Sequence, residues 1–100
     1  MAASTVALQG LDQITGWQED LYRHLHAHPE LSFQEVQTRA EIARRLRDDG
    51  YDVHEIGGGV VGVMHNGDDQ TVLFRADIDA LPVTEATGLD YASTVDVVMH

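Results

Sequence analysis

Leu8, Leu11, Ile14, Trp17, Leu21, Tyr22 and Leu25 recur at three- and four-residue steps. That spacing predicts one long amphipathic helix. Pro29 closes it, because the residue before a proline is pushed out of the α region, so His28 falls outside the helix. Ser32-Phe33-Gln34-Glu35 has the S-x-x-E form of a capping box, and Val36, Ala40, Ala43 and Leu46 follow on one face. This predicts a second helix opening at Ser32, with Gly50 as its C′ glycine. From Tyr51 the period changes. Tyr51, Val53 and Ile56 roughly alternate with polar residues and read as a first strand, Val60–His65 as a second and Thr71–Ala76 as a third. Asn66-Gly67 lies between the last two and predicts a hairpin turn. The expected fold class is α/β, in the order α-α-β-β-β, followed by an irregular tail from Ile78 to His100. A tail of that length without periodicity predicts a fold still incomplete at residue 100.

Charge narrows the range of partners. The chain holds 17 acidic and 6 basic residues, all six of them Arg, and residues 52–100 carry nine of the acids against Arg75 alone. Such a surface repels phosphate backbones and anionic lipid, so neither a nucleic-acid nor a membrane partner is expected. The absence of cysteine excludes a disulfide scaffold, a thiol nucleophile and any thiolate metal site in these 100 residues. Met1–Gly10 lacks the basic and apolar regions of a leader, and no apolar run approaches ~20 residues. A cytoplasmic location is the expectation.

Three segments carry candidate chemistry. Gly57-Gly58-Gly59-Val60-Val61-Gly62 satisfies G-x-G-x-x-G, but a dinucleotide site needs a helix directly after it. The residues that follow are strand-like, so the glycines read as a connection between strands. In His24-Leu25-His26-Ala27-His28, a continuous helix places His24 and His28 on one face, whereas an extended chain places His26 with His28. Either pair could ligate a metal or simply lie on the surface. Arg75-Ala76-Asp77-Ile78-Asp79-Ala80-Leu81-Pro82 runs a predicted strand into two alternately spaced acids. Carboxylates at a strand's C-terminal end suit a hard metal or the orientation of a metal-bound imidazole, and they equally suit a solvated acidic turn.

Several of these segments together resemble a known family. Arg23–Glu35, reading RHLHAHPELSFQE, resembles the N-terminal signature of aminoacylase-type metallopeptidases. The branch is that of hippurate hydrolases, auxin-conjugate hydrolases and bacterial N-acyl-amino-acid amidohydrolases. Gly59–Val63 is similar to its next block. Arg75–Val83, with Glu85, Thr87-Gly88-Leu89 and Tyr91-Ala92-Ser93, is similar to the third.

The resemblance implies a zinc-peptidase-like α/β sandwich that binds two divalent metals, zinc, manganese or cobalt, and carries an inserted dimerisation domain. Residues 1–100 then form the N-terminal portion of the catalytic domain, with the dimerisation domain absent and a homo-oligomer expected only where that domain is present. In the family, Val-Met-His is followed at once by Ala-Cys-Gly-His-Asp, so the metal ligands and general base are expected after His100, with none in this chain. Asp79 matches the family's aspartate near the metals, where it orients a ligating imidazole, and Asp77 stands beside it. Asp96-Val97 departs from a common Pro-Gly pair, and His24 departs from a common Asp. The implied substrate is a small N-acyl amino acid whose amide is cleaved by a metal-activated water, with the 100-residue chain itself inactive. The alternatives are a non-catalytic remnant and a small acidic module that docks on an intact homologue.

Overall fold

The computed structural model describes residues 6–100. Residues 1–5, half of the segment read for a leader, lie outside the described residues. Helix α1 spans Leu11–Ala27 and starts one turn later than the periodicity from Leu8 predicts. Gly10 directly before it adopts a left-handed conformation, with φ of 82°, which separates Leu8 from the helix. At the other end the expectation holds. His28 has left helical geometry and its amide still bonds the His24 carbonyl at 3.1 Å.

Helix α2 spans Val36–Asp48 rather than opening at Ser32. Phe33 sits at φ 62°, which a helix beginning at Ser32 cannot accommodate. Glu35 turns back to accept the Phe33 amide at 2.8 Å. The first-turn amides of α2 are instead capped from a distance. The Glu30 carboxylate accepts from Gln37 N–H at 3.0 Å and from Thr38 N–H at 2.6 Å. The C-terminus closes as the sequence predicts. Gly50, at φ 89°, donates to the Arg47 carbonyl while Tyr51 donates to that of Leu46, each at 3.0 Å. These two bonds form a Schellman motif.

Strands β1 (Asp52–Ile56) and β2 (Gly59–Val63) pair antiparallel, from Asp52 opposite Val63 to Ile56 opposite Gly59. Gly57 and Gly58 form the two-residue turn with φ of 60° and 84°. Positive φ at both central positions is what a type I′ hairpin turn requires, and glycine meets it without strain. The glycine-rich segment is therefore a strand connection, and no helix follows it. Helix α2 packs on the hairpin face carrying Val53, Val60 and Gly62. Gly62 permits the close approach, since a Cβ there would lie 3.1 Å from Leu46 Cδ1 and 3.3 Å from the Tyr51 ring. Arg39 fastens the far end, donating to the Gly58 carbonyl and pairing with Glu55 at 3.4 Å.

Thr71–Ala76 is not a strand, and Asn66-Gly67 closes no hairpin. The second edge of β2 stays unpaired in the two-stranded sheet, and this run does not reach it. Residues 72–78 instead cross open space. A cavity of about 450 Å³ separates Val72, Leu73 and Phe74 from Ile42, Leu46 and Val60. The Phe74 side chain is 91% exposed. Residues 80–100 then fold back without regular structure, tied by a parallel bridge of Ala80 to Leu31 and an antiparallel bridge of Leu81 to Met99.

Burial is shallow. Ala43, Ala80 and Val98 are the buried apolar residues among those described, and no large side chain is fully enclosed. The radius of gyration is 16.1 Å, against about 13 Å for a compact 100-residue domain. The α/β class stands with two strands in place of three.

Candidate functional site

The best-defined polar centre lies where α1 ends and residues 80–100 return. α1 delivers His26 inward, leaving the residue 8% exposed. His26 Nε2 lies 3.0 Å from Oε1 of Glu85, 59 residues away, and the Glu85 side chain is 3% exposed. Tyr22 stacks on the imidazole at 6.1 Å between centroids, and Tyr91 meets it edge-on at 5.5 Å. The Arg23 guanidinium lies 5.5 Å over the Tyr91 ring. The two tyrosine rings flank the imidazole.

Glu85 has its acceptor capacity taken up from several directions. Oε2 accepts the Thr87 hydroxyl, and Oε1 accepts the Ser93 amide at 2.8 Å together with His26. The Thr87 and Ser93 bonds, followed by His26, hold its carboxyl down at about 2 despite desolvation. Ser93 carries the connection onward, because its hydroxyl donates to the Val98 carbonyl at 2.7 Å and accepts the Val95 amide at 3.1 Å. Thr94 donates to the Ala27 carbonyl through both its amide and its hydroxyl, each at 2.8 Å.

The two bridges bring Asp79 and His100 to the same edge. Ala80 N donates to Glu30 O at 2.8 Å, while Leu81 and Met99 exchange bonds of 2.7 and 2.9 Å. Asp79 immediately precedes the first bridge and His100 immediately follows the second. Burial, then the nearby His26 charge, pushes the His100 imidazole below its ordinary value, and the Asp79 carboxylate opposes that shift. A cavity of about 370 Å³ opens beside them, lined by Leu21, Leu25, Ile42 and Ile78 with His26, Asp77 and His100 among its polar members.

The histidine cluster divides. His24 and His28 share a face, as the helical reading has it, with ring centroids 4.5 Å apart. His28 Nδ1 is engaged by the His24 carbonyl at 2.8 Å. His26 does not join His28, because the helix continues through Ala27. Asp77 is taken up by Arg75 at 2.6 Å on the surface. Among the described residues no three His, Asp or Glu side chains converge to hold a metal ion. The residues present therefore do not fit a dinuclear metal centre by themselves. The histidine spacing and the acidic pair singled out from sequence do not meet one another. The His26–Glu85 pair went unread, because 59 residues separate its members and no local spacing marks it.

No protein-family model matches the chain. Curated relatives do. It is 46% identical over 85 residues to the N-acetylcysteine deacetylase of Bacillus subtilis, covering 81% of this chain and 22% of the relative. It is 44% identical over 85 residues to the hippurate hydrolase of Campylobacter jejuni, covering 82% and 22%. The chain thus spans 22% of the length of these relatives. Among solved structures, a Bacillus subtilis dinuclear metal-binding peptidase of the M20 family superposes with a TM-score of 0.80 at 38% identity, over 89% of this chain and 26% of that one. A proposed aminohydrolase of methicillin-resistant Staphylococcus aureus gives 0.85 at 37% identity, over 94% and 26%. No helix among the described residues is long and apolar enough to cross a membrane. With sequence and backbone in agreement over at least four-fifths of its length, the chain is an M20 amidohydrolase-like segment.

Proposed function

We propose that the chain is the N-terminal portion of the catalytic domain of a metal-dependent amidohydrolase acting on small N-acyl amino acids in the cytoplasm. The observation that carries this reading is the 46% and 44% identity to a deacetylase and a hippurate hydrolase, spread over 85 residues rather than confined to one motif. Metal ligands, general base and dimerisation domain come, on this reading, from sequence outside residues 1–100. Asp79, at the edge shared with His100, is the residue of this chain placed to orient an imidazole. Asp77, drawn outward by Arg75, contributes less.

The test is a chimera in which residues 6–100 replace the matching segment of the Bacillus subtilis deacetylase. Hydrolysis of N-acetylcysteine and hippurate is assayed with added zinc, manganese or cobalt, beside the 100-residue chain alone. The chimera is expected to turn over in a metal-dependent way and the isolated chain to be inactive. Asp79→Asn in the chimera is expected to lower turnover about 10–100-fold, the usual loss when an imidazole's orienting partner is removed. Asp77→Asn should have a smaller effect. A folded chimera inactive with every metal overturns the reading and leaves the non-catalytic alternatives standing.

A further inference from the structure

The geometry points to Glu85 as a positioning residue: by sharing one carboxylate oxygen between His26 and the Ser93 amide, it sets where the chain reaching His100 lies relative to Asp79. The inference rests on the amidohydrolase reading for its functional consequence, but its structural half stands on this chain alone. Three observations carry it. The pair is enclosed, with side chains 10% and 3% exposed, while no large side chain among the described residues is fully buried. Its bonds form a continuous path, from His26 through Glu85 to Ser93 and on to the Val98 carbonyl, two residues before His100. The path ends one residue before Met99, which exchanges bonds with Leu81, and Leu81 directly follows Ala80, whose amide bonds the Glu30 carbonyl beside Asp79.

Glu85 is the junction because it is an acceptor only. Its Oε1 receives the imidazole N–H and the Ser93 N–H, while Oε2 receives the Thr87 hydroxyl. An alanine there leaves the Ser93 amide and the buried imidazole without partners. Glutamine keeps one carbonyl oxygen for the Ser93 amide and turns an NH₂ toward the other donors. A contribution to general stability loosens every region alike, whereas positioning loosens the return segment and spares the hairpin.

Amide exchange in the full 100-residue chain reads this difference. In Glu85→Ala, the Ser93, Thr94 and Met99 amides are expected to exchange about ten- to a hundredfold faster, the range for losing a bond to a charged group. The amides of β1 and β2 are expected to stay within about twofold. Glu85→Gln should recover part of the protection at Ser93, and His26→Ala should give a smaller effect than Glu85→Ala. In the deacetylase chimera, Glu85→Ala should lower kcat about tenfold with little change in KM. Equal acceleration in the hairpin, no acceleration at Ser93 and Met99, or a parent chain unprotected there overturns the inference. So does local loosening with unchanged kcat. If the parent chimera is inactive, the amidohydrolase reading fails, while the exchange pattern still decides whether Glu85 ties the return segment down.

Discussion

Residues 36–63 and residues 80–100 are held in opposite ways. In the first, most fastenings close over a short stretch of chain: the turns of α2, the Schellman bonds at Gly50 and Tyr51, and the hairpin through Gly57-Gly58, with Arg39 reaching 19 residues to Gly58. In the second there is no regular element, and the ties reach far back. Ala80 bonds Glu30, Glu85 bonds His26, and Thr94 bonds Ala27 across 67 residues. The ties of the first region lie within it, apart from the Glu30 carboxylate that caps α2 from outside. The second is ordered only if the end of α1 is already in place. Regular structure and order are thus separable here, and the buried His26–Glu85 pair ties down the region without regular structure.

The sharpest way to break this contrast is at the hairpin turn. Valine at both Gly57 and Gly58 forces β-branched side chains to φ values of 60° and 84°, at about 1–2 kcal/mol each. The double variant is expected to lose amide protection along Asp52–Ile56 while Ala80 and Thr94 keep theirs. Simultaneous loss in both regions, seen by amide exchange, would show that they melt as one unit and that the contrast is only geometric.

The same contrast explains what could be read from the chain beforehand. α1, α2, Gly50 and the first two strands were legible because periodicity and capping residues act within a few positions. Ser32 misled because Glu30, five positions upstream of the Glu35 N-cap, captures the first-turn amides through its longer side chain. Asn66-Gly67 misled because hairpin propensity is local, whereas pairing needs the following run to reach the open edge of β2, and a cavity separates Val72, Leu73 and Phe74 from Val60. At the site, Asp79 was singled out with Asp77 by alternate spacing and again by family resemblance, and His100 by the resemblance alone. Glu85 stood in a motif, but its partner His26 could not be inferred from spacing.

Glu30 lies outside both regions but ties into each, and gives the next test. Its carboxylate caps α2, while its backbone carbonyl accepts Ala80 N–H. Glu30→Ala removes the first bond and leaves the second. It should destabilise α2 by about 1 kcal/mol, as loss of a helix cap does, without releasing residues 80–100. Acid should act similarly. Burial favours the protonated form of Glu30, but the Thr38 and Gln37 amide bonds prevail and hold its carboxyl below 4.5. A depressed carboxyl stabilises the fold above the unfolded value and loses that effect as pH falls through the folded one. Helical circular dichroism should therefore fall as pH drops below about 4.5, and less so in Glu30→Gln. Glu85, held at about 2, should release Ser93 only further down. Release of Ser93 before α2 frays would reverse the assignment of these two carboxyls.

The smallest effects are expected between the two regions. Residues 64–79 share neither kind of fastening, and their one close ion pair, Arg75 with Asp77 at 2.6 Å, has side chains 79% and 65% exposed. Pairs so open to water contribute about 0–1 kcal/mol, so Arg75→Ala should barely move the unfolding midpoint. Phe74→Ser is the more telling change. At 91% exposure the ring has little apolar contact to lose, and the substitution should stay within about 0.5 kcal/mol, as for other surface positions. A strand at Thr71–Ala76 would behave differently, since its apolar residues would pack across the cavity facing Leu46 and Val60 and a buried Phe would cost about 3–5 kcal/mol to truncate. Denaturant midpoints for Phe74→Ser and Arg75→Ala therefore separate a span that crosses open space from a third strand, and a loss of several kcal/mol in the first variant alone would restore the strand.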